Sequence, residues 1–156
     1  MLPPAHILVN SLILFPFARK KPRKRFAYIA FGSILPDLID KPLGFLLYHS
    51  FGNGRLIAHT LLFNLSLLLL CVYLGKELWL IGICSMLHLV EDQMWRMPDV
   101  LFFPFLGPIR KRPSMDLGRR IESVFAHLHN PAYLALNVAG CIFLSVLIYI
   151  CIKSES

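Results

Sequence analysis

His88 and Asp92 stand four residues apart at the end of the apolar run LWLIGICSMLHLVEDQM. On an α-helix that spacing puts both on one face, so an imidazole and a carboxylate can grip a single metal ion. Ionisable groups inside such an apolar segment are expensive and mark function. His6, Asp37 and His59 carry the same chemistry and lie in or beside other apolar runs. Histidine and carboxylate ligands without thiolate suit a divalent transition metal, zinc first, with manganese or iron also accommodated. Asp37, His59, His88 and Asp92 make the core of the expected site, and His6 joins it or holds a second ion. Asp40 and Glu91 are candidates to support the ligands or to accept a proton in catalysis, Asp37 being a third acceptor. Glu91 is the weaker, since on an ideal helix it points about 100° from Asp92.

Each residue alone has a simpler reading. His59 fits a hydrogen-bonded histidine at a helix start. Asp37 follows Pro36 and fits a partner of a helix N-terminus. Asp92 could pair with Arg96 one turn on. His49, His127, His129 and Glu122 read as solvated positions flanking apolar runs. Convergence of the five groups favours the metal.

The elements that must position them are apolar. Of 156 residues, 56% are hydrophobic and 16% charged, well below the charge of a soluble domain. The runs 57–75 and 133–152 come near the roughly 20 residues needed to cross a bilayer. The runs 2–18, 26–48 and 78–97 are interrupted by proline or acidic residues. The expected fold is all-α: one membrane-embedded bundle of about five helices over 1–156, with 98–131 as an interfacial segment. Met97 to Pro108, rich in aromatics and proline, fits neither helix nor strand. Helix 2 is expected to break near Pro36, with Gly32 ahead of it and Pro42 behind. Cys71, Cys84, Cys141 and Cys151 all fall in the expected spans, lack metal-site spacing and read as small packing residues.

Threading five helices across a membrane places His6, His59, His88 and Asp92 in one half of the bundle, with Asp37 near its middle. Asp37 is about 16 Å along its helix at 1.5 Å per residue. The formal charge of +7 is concentrated in RKKPRKR, Arg19 to Arg25. Flanked by apolar runs and free of interleaved aromatics, this patch reads as a loop on anionic lipid rather than a nucleic-acid contact. Lys and Arg divide evenly, eight to each side, but RKKPRKR is one short dense loop, the form the positive-inside rule weighs most. That places the loop in the cytoplasm and the site facing outward.

The motifs Leu35-Pro36-Asp37-Leu38-Ile39-Asp40, Gly54-Arg55-Leu56-Ile57-Ala58-His59-Thr60 and His88-Leu89-Val90-Glu91-Asp92, with His6 ahead of them, resemble the YdjM-like family. Lys41-Pro42 resembles its archaeal-type members. The resemblance implies a multi-pass protein of the inner (cytoplasmic) membrane and a metal-dependent hydrolase. The family's association with the LexA repressor carries no DNA or repressor binding over to this chain. The ordered ligands are also similar to the all-helical zinc phospholipase C and nuclease fold. That likeness implies zinc on Asp37, His59, His88 and Asp92 and a phosphoester or lipid headgroup as substrate. The chain departs from both patterns. No later His-x-x-x-Glu pair follows His88, Gly54 stands where many family members carry histidine, and Asn137 stands where many carry an acid. A non-catalytic membrane protein, with a proton or ion pathway or a structural role and a vestigial site, is the alternative.

Overall fold

The computed structural model describes residues 2–19, 22–47, 54–112, 122, 125–126 and 129–153. Among them every regular element is helical. His49, His127, Lys20, Lys21 and all of 113–121 lie outside the described residues. Helix α1 (Pro3–Ile13) opens on proline, where a missing N–H breaks no helical bond. Pro16 cannot continue the ladder, so the chain turns at Leu14 and restarts as the short α2 (Phe15–Ala18). The expected element 2–18 is therefore two helices.

The expected break near Pro36 does not occur. Helix α3 (Pro22–Leu46) runs on through both Pro36 and Pro42. Each proline deletes one ladder hydrogen bond, and tertiary packing carries the helix past the defect. The decisive contact is one turn before Pro36. A Cβ on Gly32 would stand 2.5 Å from the Ile81 carbonyl oxygen, so only glycine lets α3 lie this close to its neighbour.

Ile57–His59 forms a single 3-10 turn. Thr60 then caps α4 (Leu61–Tyr73), its Oγ1 accepting the Phe63 N–H at 3.1 Å. The helix therefore starts at 61, four residues later than expected. Helix α5 (Trp79–Glu91) ends at Asp92, and Gln93 turns the chain in the left-handed conformation. A further 3-10 turn (Met94–Arg96) leads to α6 (Pro98–Leu101), one helical turn inside the stretch expected to hold none. Pro98 at its first position and Asp99 in its first turn favour that start. Asp99 also accepts from the Arg110 N–H at 3.2 Å and from Arg112 at 2.8 Å, folding this stretch back on itself. Helix α7 (Pro131–Lys153) completes the chain.

Helix α7 is, among the described residues, the one helix long and apolar enough to cross a membrane; α4 and α5 are apolar but shorter. Helix α5 packs against α3 and α4, and α1 packs between α3 and α7. Gly140 on α7 abuts the Pro4 carbonyl, too close for any side chain. Leu14, Ala18, Ile29, Leu80 and Cys84 form the core toward one end, and Leu89, Met94 and Val100 a smaller one toward the other.

The distribution of polarity is inverted. His6, Asn10, Ser33, Asp40, His59, Asn64, Ser85 and His88 are fully buried, while Leu12, Phe45, Leu69, Tyr73, Ile142 and Tyr149 are exposed. A water-soluble fold of this size keeps large apolar groups in and ionisable groups out.

Candidate metal centre

Four stretches deliver the polar cluster. His6 comes from the first turns of α1, and Asp37 and Asp40 from the second half of α3. His59 comes from the turn before α4, and His88 and Asp92 from the end of α5. The turn carrying His59 has one backbone hydrogen bond, from the Thr60 N–H to the Ile57 carbonyl, and side chains hold the rest. Asn64 donates to the Ala58 and Thr60 carbonyls, both at 2.8 Å, and its Oδ1 accepts from Ser85 at 2.5 Å. Asn10 on α1 donates to Ser33 on α3 at 2.9 Å, and Ser33 donates in turn to the Ile29 carbonyl at 2.6 Å.

The three histidines share one arrangement. His59 Nδ1 meets Asp40 Oδ2 at 2.7 Å. His88 Nδ1 meets the Ser33 carbonyl oxygen at 2.7 Å. His6 Nδ1 meets Glu91 Oε2. A carbonyl or carboxylate partner accepts, so each Nδ1 carries the proton and each Nε2 presents a lone pair. All three Nε2 atoms are buried and have no hydrogen-bond partner. Leaving three such buried acceptors unpaired costs stability unless something else meets them.

They point at the same space as two carboxylates. His6 Nε2 is 3.5 Å from Asp92 Oδ1, and His59 Nε2 and His88 Nε2 are 3.9 and 4.0 Å from Asp92 Oδ2. The latter two nitrogens are also 3.8 and 4.0 Å from Asp37 Oδ1. These gaps are too long for hydrogen bonds. They suit donors around a cation, which stand about 3–4 Å apart when each metal bond is about 2.0–2.2 Å. Two overlapping sets fit one ion each, His6–His88–Asp92 and Asp37–His59–His88. The buried histidine and aspartate groups could therefore hold a metal ion, and the orphaned nitrogens are the observation that fits them to it. Fixed Nδ1 partners are what metal-ligating histidines require, because they set tautomer and ring orientation.

Asp40 is fully enclosed. Beyond His59 Nδ1, its oxygens accept the backbone N–H groups of Leu56 at 2.6 Å, Ala58 at 2.9 Å and His59 at 3.1 Å. Glu91 meets Nδ1 of His6 while Asp92 faces Nε2 of the same ring, so the two neighbouring carboxylates flank one imidazole on another helix. Asp92 pairs with Arg55 rather than Arg96. Arg55 Nε and Nη2 donate to Asp92 Oδ2 at 2.9 and 2.7 Å. Asp37 Oδ2 meets Lys41 at 2.7 Å. His129 is exposed and bonded within its own turn to the Phe125 carbonyl, away from the cluster.

The family model for YdjM inner membrane proteins matches residues 1–155. The chain belongs to the YdjM family of inner membrane proteins. No curated protein matches it, and no solved structure does. The inverted polarity of the fold suits that family's membrane setting.

Sequence reasoning named His6, Asp37, Asp40, His59, His88, Glu91 and Asp92, and the structure gathers all seven. It gave no role to Arg55, Ser33, Asn64 and Ser85. Arg55 carried a signal, a lone cation four residues before His59 in a chain whose acids cluster nearby. Asn64 and Ser85 carried another, polar side chains within otherwise apolar runs.

Proposed function

We propose that this protein is a multi-pass inner-membrane hydrolase that uses a divalent transition metal, zinc first, on a phosphoester or lipid headgroup. The observation that carries the reading is the set of three buried, unpartnered Nε2 atoms facing Asp37 and Asp92. His6, His59, His88, Asp37 and Asp92 would hold the metal. When bound, such an ion supplies Lewis acidity and a water acidified toward neutrality. The chain's own residues do the rest. Asp40, Glu91 and the Ser33 carbonyl hold the three imidazoles in their donor tautomer. Arg55 fixes one oxygen of Asp92, leaving the other toward His6. Asp40, engaged on both oxygens, orients His59 rather than meeting water. Asp37 lies on the wall of the adjacent cleft, and its Oδ2, once Lys41 turns away, is the proton acceptor for an attacking water.

The multi-pass arrangement rests on the apolar outer surface and on the gathering of ionisable groups within. The dense basic run Arg19 to Arg25, whose second half opens α3, argues for a cytoplasmic position of that end and an outward-facing site.

A screen of purified protein against phosphodiester and phospholipid substrates tests the reading. Hydrolysis of at least one class, abolished by chelator and by His88→Ala, is the expected result. Failure of every phosphoester with metal fully loaded would overturn the hydrolase assignment.

A further inference from the structure

A cleft of about 260 Å³ runs beside the cluster, lined by Pro3, Ile34, Asp37, Leu38, Lys41 and Pro42. It has one ligand carboxylate on its wall, one cation and four apolar side chains. Lys41 is half-exposed, at 56%, and its ammonium lies 2.7 Å from Asp37 Oδ2. Asp37 Oδ1 faces His59 and His88. Lys41 thus neutralises Asp37 from the cleft side, the task a metal ion would perform from the inner side. Two cations on one carboxylate repel each other, and a flexible four-carbon stem lets the lysine turn away. An anion is what would hold it in the cleft, while the apolar walls suit a hydrocarbon chain.

Resting on the metal-dependent reading above, we propose that this cleft receives an amphiphilic phosphate, a membrane phospholipid, with Lys41 recognising the phosphate and Ile34, Leu38 and Pro42 the chain. Lys41 is then a specificity-determining residue, and metal and lysine compete for Asp37 until the anion arrives. The chemistry of the groups separates this substrate from a free phosphate, which would leave the apolar walls unused, and from a neutral lipid, which would leave the lysine unused.

The test uses the full-length protein in detergent with zinc added, and three probes: short-chain phosphatidic acid, diacylglycerol of the same chain length, and inorganic phosphate. Binding is read by calorimetry, and zinc affinity is measured on the same samples. Wild type is expected to bind phosphatidic acid more tightly than either other probe. Lys41→Gln is expected to bind it about tenfold or more weakly, the scale of one charge-assisted hydrogen bond, and to bind zinc as tightly as wild type or more so. Lys41→Arg should retain phosphatidic acid binding. Leu38→Trp, at an exposed position, should lose it with zinc affinity unchanged. Equal phosphatidic acid binding by wild type and Lys41→Gln, with zinc bound by both, overturns the lysine's role and leaves the metal centre standing. Tighter binding of inorganic phosphate or diacylglycerol overturns the phospholipid. Absence of zinc from wild type overturns the metal centre and this inference with it.

Discussion

Asp40 shows how one buried side chain can organise a site without touching its ligand. Its carboxylate gathers three backbone N–H groups of the 56–59 turn and the Nδ1 of His59. Asp40→Asn keeps the volume but weakens the grip on the imidazole. Metal affinity should fall about 10–100-fold, the usual effect of losing such a support, as read by competition with a chromophoric chelator. Asp40→Ala also strands those N–H groups, at about 1–3 kcal/mol for each buried donor left unmet, so its thermal midpoint should drop well below that of Asp40→Asn. Residues of this kind were half legible in the sequence. The spacing of His88 and Asp92 named a helix face directly. The pairing of Asp40 with His59, nineteen positions apart, depends on a turn that no periodicity encodes. Arg55 was missed for the same reason. Its partner Asp92 lies across the bundle, whereas Arg96, one turn from Asp92, satisfied the local rule.

At the scale of elements, the sequence located the helices and misjudged their ends and breaks. Proline punctuation predicted a broken helix at Pro36, but the close approach of α3 to α5 at Gly32 holds it continuous. The same reasoning does apply at Pro16, where the chain turns at Leu14 and restarts. Gly32→Ala tests this balance. A Cβ there would meet the Ile81 backbone, so the helices must part, and stability should fall by about 1–3 kcal/mol in chemical unfolding. Because Ser33 beside it holds His88, metal affinity should fall with it. Asn64→Ala probes the other support. It frees the turn carrying His59 from α4 and strands the Ser85 hydroxyl, and should cost about 2–3 kcal/mol. Equal metal affinity in Asn64→Ala and wild type would show that the turn holds its shape without this bracket.

For the whole molecule, the inverted polarity and the buried cluster of ionisable groups belong together. Burying three histidines, three aspartates and Glu91 among apolar helices is costly unless the charges are matched. A divalent cation would match them and link α1, α3, the turn before α4 and α5 at one point. Metal removal should therefore destabilise the whole bundle rather than one element, visible as a lower thermal midpoint with chelator that zinc restores. Acidification should release the metal, because the imidazoles must be neutral to donate their Nε2 lone pairs. The proposed outward orientation can be read on intact cells: a cysteine placed by Lys111→Cys should react with a membrane-impermeant thiol reagent, and one placed by Lys24→Cys should not. The most direct measurement is the metal content of purified protein. At least one transition metal per chain, lost in His88→Ala and in Asp92→Ala while both variants stay folded, is the predicted result. A wild-type protein that stays metal-free after zinc is supplied, with stability unchanged by either substitution, would contradict the account.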